Sequence, residues 1–268
     1  RSCTNDGSVR PYGSDLGTFA LLRSSRAYVG SSMIEFEGIV ELGGLYRGNE
    51  ATMRSSRPWL VDQSAVRPYD GLQNGDIPCF SDHPDWSHWE IGNTPKEADF
   101  RLRWISLRTP TSRLLIADRV LLVYVSWQDL ADAGFVAGKQ ITIDNDNFTC
   151  RLMDGGNDFA FVEDGYGGAI TNENEWDQLV CNEAGIAGLP TPTDADVARL
   201  ITDSVREGRH NQLWNWVGAN SWLTRPYAQR ETARCCRGFA SAKYLYLNTF
   251  DHRHEDIGWR PVLEQKFT

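Results

Sequence analysis

The chain has few cysteines, and their spacing is not that of a metal or redox motif. Six cysteines in 268 residues are too few for a disulfide-held scaffold, and no pair has the Cys-x-x-Cys spacing of zinc and redox motifs. The adjacent Cys235 and Cys236 would point to opposite faces of a strand, so we expect no bond between them. We therefore predict that the cysteines are structural thiols.

Long apolar runs and long basic runs are also missing. The longest apolar stretch, Val120 to Val125, is far shorter than the roughly 20 residues of a membrane-spanning helix and fits a buried strand. The formal net charge is −9, and DNA or RNA binding needs clustered Lys and Arg to neutralise phosphates. We expect neither membrane insertion nor a nucleic-acid partner. Because the chain begins with Arg1 rather than Met, an upstream segment is left open.

Alternating and continuous hydrophobic patterns predict strands in both halves of the chain. They fall at residues 33–42, 100–107, 119–125 and 140–143, where apolar residues recur with the period of a strand or form a short buried run. Residues 66–98 carry many prolines and glycines and are predicted to be loop.

Helix signals cluster in the middle of the chain. Ser126 followed by Asp129 is a capping-box pattern and predicts a helix that runs to about Phe135. A second helix is predicted to begin near residue 171, and a third, with an apolar stripe, over residues 194–207. Strand and loop are predicted after residue 209. This distribution indicates the α+β class, with a soft boundary that separates a β-rich N-terminal region, 1–98, from a domain over 99–268.

Short blocks in the second half carry a resemblance to a known family. They are Val125-Ser126-Trp127-Gln128-Asp129, Asn174-Glu175-Trp176, Leu213-Trp214-Asn215-Trp216, Arg234-Cys235-Cys236-Arg237-Gly238 and Gly258-Trp259-Arg260. Their order resembles the formylglycine-generating-enzyme type of C-type lectin fold, as in phage and prophage proteins and in the variable proteins of diversity-generating retroelements. The resemblance covers roughly residues 100–264. It implies a C-type lectin-like ligand-binding domain over 99–268, with 1–98 as an attachment or oligomerisation region.

The residues of these blocks are predicted to be scaffold. The rings of Trp214, Trp216 and Trp259 are expected in the core, because large aromatic residues suit a small core with few long helices. Arg237 and Arg260, like Arg234, cannot lose their charge, so if they are buried they need carboxylates or carbonyls as partners.

The same resemblance argues against catalysis. The enzymes of this fold oxidise a substrate cysteine with copper and a pair of cysteines that follow the Arg-Gly block. Here the residues from Phe239 to Asn248 include no cysteine, and Cys235 and Cys236 precede Gly238. Serine-hydrolase and phosphate-loop motifs do not occur either. We predict no enzyme and no catalytic residues, and a copper-dependent formylglycine-generating oxidase is the remote alternative.

Three polar clusters are candidate metal sites. They are His252 with His254, His83 with His88, and the oxygen-bearing run Asp144–Asn147. The histidine pairs lack a third and fourth ligand. The run from Asp144 lacks the glycine and terminal glutamate of a calcium-binding loop and is predicted to be a turn. We predict no metal site and no cofactor, with calcium left open.

The residues between the blocks are predicted to form a ligand-binding face. They are chemically mixed, and aromatic residues such as Tyr244, Tyr246 and Phe250 would be unusual in a loop that only meets solvent. In retroelement-diversified relatives, the resemblance implies, this is the variable region. The predicted face consists of Val217, Ala219, Asn220, Leu223, Thr224, Arg225, Tyr227, Phe239, Ala240, Lys243, Tyr244, Leu245, Tyr246, Asn248, Phe250, His252 and His254.

These observations predict a non-enzymatic receptor-recognition protein with a variable, aromatic-rich C-terminal surface. The expected partner is a protein or glycan receptor on a target cell, and the expected location is a virion tail or a cell surface. The alternative is a structural virion or tail subunit that uses the same face for assembly, and self-association is left open.

Overall fold

The computed structural model describes most of the chain after residue 33. The described ranges are 34–55, 77–160, 165–170, 173–199 and 201–267, with the backbone of two short strands at 60–61 and 72–73. The chain divides into two compact units, Arg1–Ser31 and Ser32–Thr268. All the described residues belong to the second unit.

Short strands make up most of the regular structure. They are β1 (Glu35–Arg47), β2 (Glu50–Ala51), β3 (Leu60–Val61), β4 (Leu72–Gln73), β5 (Trp89–Gly92), β6 (Arg101–Arg108), β7 (Ser112–Ala117), β8 (Leu122–Val123), β9 (Lys139–Ile143), β10 (Asp146–Arg151), β11 (Asn220–Tyr227), β12 (Arg230–Gly238), β13 (Leu245–Thr249), β14 (Ile257–Trp259) and β15 (Val262–Lys266). The α-helices are α1 (Trp127–Asp132), α2 (Asp203–Glu207) and α3 (Arg209–Trp214), with a π-helical turn at Trp176–Val180 and 3-10 turns at Phe80–Asp82, Ala98–Phe100 and Ala195–Val197.

The strands form two main sheets. The larger is a curled antiparallel half-barrel with the order β2–β1–β6–β7–β15–β10–β9, to which β5 adds by pairing with β1. The smaller has the order β13–β12–β11–β14–β8, in which β11 and β14 are parallel. β3 and β4 pair separately. In the smaller sheet β13 is therefore an edge strand, whereas β12 and β11 have a neighbour on each side.

The predicted α+β, C-type lectin-like class is wrong, because the chain is β-rich, with 40% strand and 16% helix. The helix predicted over 194–207 shows the cause. The carbonyl of Asp196, which a helix would bond to the amide four residues later, instead accepts the Ala242 amide at 2.8 Å. Ala198 is extended, and Thr202 starts a new helix by capping α2. A long-range contact therefore divides the predicted helix into two short elements, the 3-10 turn at Ala195–Val197 and α2.

The chain does not divide at residue 98, where a domain boundary was predicted. β1 lies before that position, and it pairs along its length with β6, which lies after it. Ser32–Thr268 is one compact unit, because these backbone bonds join the two segments in one sheet. The described part of the N-terminal region is β-rich, and residues 1–33 lie outside the described residues.

Several local predictions are confirmed. Ser126 and Asp129 form a reciprocal capping box at the start of α1. Asp144 and Asn145 have φ values of 52° and 73°, as the type I′ turn between β9 and β10 requires. By contrast, α3 forms where strand and loop were predicted. The run at 119–125 is buried except for the half-buried Tyr124, and it contains only the two-residue strand β8.

Both faces of the central strands are buried. Cys235 packs in the same apolar cluster as Leu223, and Cys236 packs in a second cluster with Trp222. This confirms that the adjacent cysteines point to opposite faces. Trp214, Trp216 and Trp259, predicted to be core, are fully buried. No helix among the described residues has the length and apolar character to cross a membrane.

Candidate functional site

The predicted ligand-binding face is divided by the sheet that carries it. Six of its residues are buried, so the structure does not place them on a surface that a ligand could contact. They are Val217, Ala219, Asn220, Leu223, Ala240 and Leu245. The physical reason is the position of β11 between β12 and β14, which leaves apolar clusters on both faces of the smaller sheet. The half-buried residues are Thr224, Tyr227, Phe239, Lys243, Tyr244, Asn248, Phe250 and His252, and the exposed ones are Arg225, Tyr246 and His254.

An open groove lies where the β11–β12 hairpin meets β13, and we call it the aromatic groove. Its volume is about 440 Å³, and it is lined by Phe159, Tyr227, Gln229, Arg230, Tyr246 and Leu247. The rings of Phe159 and Tyr227 meet edge to face with centroids 5.7 Å apart, a favourable arrangement for aromatic pairs. The Gln229 amide donates to the Asp158 carboxylate at 3.0 Å, which holds one wall of the groove in place.

A second set of rings continues from the groove, and we call it the tyrosine row: Tyr166, Tyr244 and Tyr246. The ring centroids of Tyr244 and Tyr246 are 5.8 Å apart and nearly parallel, and those of Tyr166 and Tyr244 are 4.8 Å apart. The Arg199 guanidinium lies 4.9 Å from the centre of the Tyr166 ring. Tyr246 belongs to both the row and the groove, and 45% of its surface is exposed.

Arg237 fixes the chain at the start of β13. Its guanidinium donates to the Asp177 carboxylate at 2.5 Å and to the Tyr244 and Lys243 carbonyls at 3.1 Å. A fourth bond, of 2.8 Å, reaches the Gly155 carbonyl. Both members of the Arg237–Asp177 ion pair are buried. The predicted scaffold role of this arginine is confirmed, and through it the backbone under the tyrosine row is held rigidly.

The other two arginines of the blocks differ from each other. Arg260 is fully buried and has no carboxylate partner among the residues that the structure describes. It donates to three carbonyls and to the Ser221 hydroxyl. Burial lowers the pKa of Arg260 to about 9. Arg234 is only half-buried. Its guanidinium lies 4.1 Å from the centre of the Trp127 ring and 5.9 Å from that of Phe250, so it supports the turn after β13.

The last residues of the predicted face lie apart from the groove, in the segment that follows β13 and contacts α1. The Phe250 carbonyl accepts the Gln128 amide at 2.9 Å, and Arg253 forms two bonds, of 2.6 and 2.9 Å, with the Asp129 carboxylate. The rings of His252 and His254 stack with centroids 5.9 Å apart. The structure therefore does not bring these residues together with Tyr227 and Tyr246.

The side chains considered as metal ligands do not come together as a metal site within the described ranges. These ranges contain no group of three or more His, Cys, Asp or Glu side chains that could hold a metal ion. Asp144 is already bonded to Thr94, which donates its amide at 2.9 Å and its hydroxyl at 2.5 Å, and these bonds lower the pKa of the carboxyl. Burial raises the pKa of the Cys181 and Cys235 thiols to about 12. These thiols stay protonated at neutral pH and are poor nucleophiles and metal ligands.

Five residues of the site are absent from the predicted face: Phe159, Tyr166, Gln229, Arg230 and Leu247. Gln229 and Arg230 lie inside the predicted segment, between Tyr227 and Phe239, but were not included in the face. Tyr166 stands in the run Asp164-Gly165-Tyr166-Gly167-Gly168, where an aromatic residue among glycines is a local signal of exposure. Phe159 gave no such signal, because only the fold brings it to Tyr227.

Comparisons of the chain with models of known protein families, with curated proteins and with solved structures found no match. The resemblance of the sequence blocks to formylglycine-generating-enzyme relatives therefore stays a prediction, and we infer the function from the site itself.

Proposed function

We propose that this protein is a non-enzymatic binding protein that recognises a partner macromolecule through the aromatic groove and the tyrosine row. The observation that carries the proposal is the exposed, stacked ring of Tyr246 beside a groove of about 440 Å³. Tyrosine and arginine are enriched at the energetic centres of interfaces, where a large ring is buried at a small cost in side-chain entropy.

The rigidity of the surface supports the proposal. Tyr244 precedes a strand whose start is held by the buried Arg237, and Gln229 is held by Asp158. A surface that is already ordered loses little conformational entropy when it binds, and this favours affinity. The exposed rings also support the proposal, because exposed aromatic clusters on a protein surface usually mark a site of interaction.

The finer functional predictions remain part of the proposal. We propose that the partner is a protein or glycan receptor on a target cell, and that the protein is displayed on a virion or a cell surface. Diversification of the C-terminal segment is supported only by the sequence resemblance. Deep sequencing of the coding region in its source population tests it: substitutions concentrated at 217–254 would support diversification, and an invariant segment would refute it.

The binding proposal is tested by removing rings from the surface. Wild type and the double variant Tyr227→Ser/Tyr246→Ser are screened against a random peptide library and a glycan array. We expect ligands that bind the wild type and bind the variant at least about tenfold more weakly, since interface tyrosines contribute about 2 kcal/mol or more. The matched control is Phe267→Ser, because Phe267 is 42% exposed and far along the chain from the groove.

Melting temperatures decide how a loss of binding is interpreted. Because Tyr246 is exposed and Tyr227 half-buried, we expect the double variant to melt within a few degrees of the wild type. Equal binding by variant and wild type would refute the proposal. If the wild type binds nothing but forms an oligomer that the double variant cannot form, the surface serves assembly, as a structural subunit would require.

A further inference from the structure

The edge of β13 offers backbone hydrogen-bonding groups to an additional strand. Residues on either side of β13 establish which groups face outward. The amide of the last residue of β12 donates to the Tyr244 carbonyl at 3.2 Å, and the Phe250 amide donates to a β12 carbonyl at 3.2 Å. Bonded pairs alternate along an antiparallel ladder. Tyr246 and Asn248, which are two and four residues after Tyr244, therefore bond to β12 as well.

The other residues of β13, Leu245, Leu247 and Thr249, direct their backbone groups away from β12. At one end, the Leu245 amide donates to the Gly165 carbonyl at 3.0 Å, and at the other end the Thr249 carbonyl accepts the His252 amide at 3.1 Å. Between these two contacts, the Leu247 amide, the Leu247 carbonyl and the Thr249 amide form no hydrogen bond with any residue that the structure describes.

These three groups have the spacing of a strand edge. A donor, an acceptor and a second donor follow one another on alternate residues, which is the pattern that an extended backbone satisfies when it pairs with a sheet. Native edge strands are usually protected by charged side chains, prolines or bulges. Leu245-Tyr246-Leu247-Asn248-Thr249 has no charged residue and no proline, so β13 lacks these protections.

The aromatic groove lies on the face where the side chain of an added strand would project. Leu247 packs with Phe159 and Tyr227 against the same apolar cluster, and all three line the groove. Directly opposed residues on neighbouring strands have side chains on the same face. A residue that pairs with Leu247 would therefore place its side chain in the groove, against the edge-to-face rings of Phe159 and Tyr227.

The charge of the groove indicates what should flank that side chain. Arg230 is the charged residue of the lining, and its guanidinium forms no ion pair with any described residue. The neighbouring Arg225 is already bonded to Asp154 at 2.6 Å. β12 runs from Arg230 past Ala233, which pairs with Thr249, so Arg230 lies beyond the Thr249 end of β13. Residues two apart on a strand share a face. In an antiparallel added strand, the residue two positions before the apolar one opposes Thr249, so an acidic residue there would approach Arg230.

We propose that β13 binds an extended peptide segment as an added strand, with an apolar side chain in the aromatic groove and an acidic side chain, two residues away, against Arg230. The inference rests on the proposed function of the groove as a binding site, and it names the class of partner: an extended acidic and apolar polypeptide, not a glycan.

The test uses the full chain and a defined probe, the labelled peptide Thr-Glu-Thr-Phe-Thr with blocked ends, in which the acidic residue precedes the apolar one as antiparallel pairing requires. Its binding is measured by fluorescence anisotropy. We expect saturable binding and at least a tenfold loss when the peptide backbone is N-methylated on the groove-facing residue, because the donor to the Leu247 carbonyl is removed. We expect a similar loss for Leu247→Pro, whose amide is not used within the sheet. Equal affinity of the methylated peptide would overturn strand addition.

Amide hydrogen exchange supplies an internal control within β13. On addition of the peptide, exchange of the Leu247 and Thr249 amides should slow, while the Tyr246 and Asn248 amides, which already bond to β12, should not change. Binding without protection of Leu247 and Thr249 would overturn the proposal even if affinity is high.

A charge exchange tests the role of Arg230. The variant Arg230→Glu should bind the original peptide about fivefold more weakly, as expected for an exposed ion pair, and should prefer Thr-Lys-Thr-Phe-Thr. If neither peptide responds to the substitution, the acidic preference is wrong.

Failure of this inference can be distinguished from failure of the proposed function. If the peptide does not bind but a glycan or a folded protein binds the wild type and not Tyr227→Ser/Tyr246→Ser, the groove is a binding site and strand addition is overturned. If Leu247→Pro instead dissolves a dimer, the occupant of the edge is a second copy of the chain, which also overturns the peptide. If nothing binds the groove, both proposals fail.

Discussion

The buried imidazole of His210 makes a specific prediction about stability in acid. His210 is 2% exposed, and its two ring nitrogens are both occupied. Nε2 lies 2.7 Å from the Val180 carbonyl, and Nδ1 lies 2.8 Å from Nε1 of Trp216. Indole nitrogen is only a donor, so Nδ1 must accept and Nε2 must carry the proton. A second proton on Nδ1 would face the Trp216 N–H, which is itself a donor, so this proton would have no acceptor there.

The size of the stability loss in acid follows from the difference between the folded and unfolded pKa of His210. Burial, as the largest cause, lowers the pKa of His210 from 6.5 to about 4. Because the folded pKa lies below the unfolded one, the unfolded chain takes up the proton first as the pH falls. The contribution of neutral His210 is present above pH 6.5 and is lost as the pH falls toward 4. At about 1.4 kcal/mol per unit, the loss is about 3 kcal/mol.

The assay is urea unfolding followed by tryptophan fluorescence at pH 7.5 and at pH 4, with His210→Gln as the comparison. Glutamine retains one donor and one acceptor but does not titrate, so the wild type should lose about 3 kcal/mol more than this variant between the two pH values. His252→Gln, at a half-buried position on the surface, should follow the wild type. Equal losses in the wild type and His210→Gln would refute the assignment of a neutral, doubly bonded imidazole.

Two further predictions concern the support of the site. Asp177→Asn should destabilise the protein by about 3–5 kcal/mol, because it leaves the charge of Arg237 buried without its partner; a melting temperature close to that of the wild type would contradict the role given to this ion pair. Gly165→Ala should cost more stability than Gly185→Ala in urea unfolding. Both glycines have positive φ, but a Cβ on Gly165 would lie 1.9 Å from the Leu245 carbonyl oxygen, whereas nothing lies within 4 Å of a Cβ on Gly185. Equal losses of stability in the two variants would show that the backbone at Gly165 can move without affecting β13.

Local features of the sequence were predictable because their causes lie within a few residues. The capping box joins residues three apart, and the period of two along a strand is enough to separate Cys235 from Cys236. The same reasoning was wrong for the helix at 194–207, although the apolar residues there recur at the spacing of a helix. There the deciding contact, between Asp196 and Ala242, joins segments that are distant in the sequence.

The proposed binding surface also combines predictable and unpredictable features. Aromatic residues between Trp214 and Trp259 indicated where it would be, and Tyr227, Tyr244 and Tyr246 do lie at the groove or in the tyrosine row. The pattern could not tell which of their neighbours are buried, because that depends on which strands cover each face of the sheet. Phe159 was missed for the same reason, since only the packing beside β13 brings it to Tyr227.

By itself, the sequence determined the character of the parts: adjacent thiols on opposite faces of a strand, core tryptophans, a capped α1, a tight turn at Asp144, and a C-terminal segment rich in aromatic residues. The tertiary structure decided the β-rich class, the single compact unit across residue 98, the burial of part of the predicted face, and the unpaired edge at Leu247. Propensity and capping act through neighbours in the chain, whereas burial and strand order are properties of long-range pairing, where each residue's environment is supplied by segments that the local pattern does not specify.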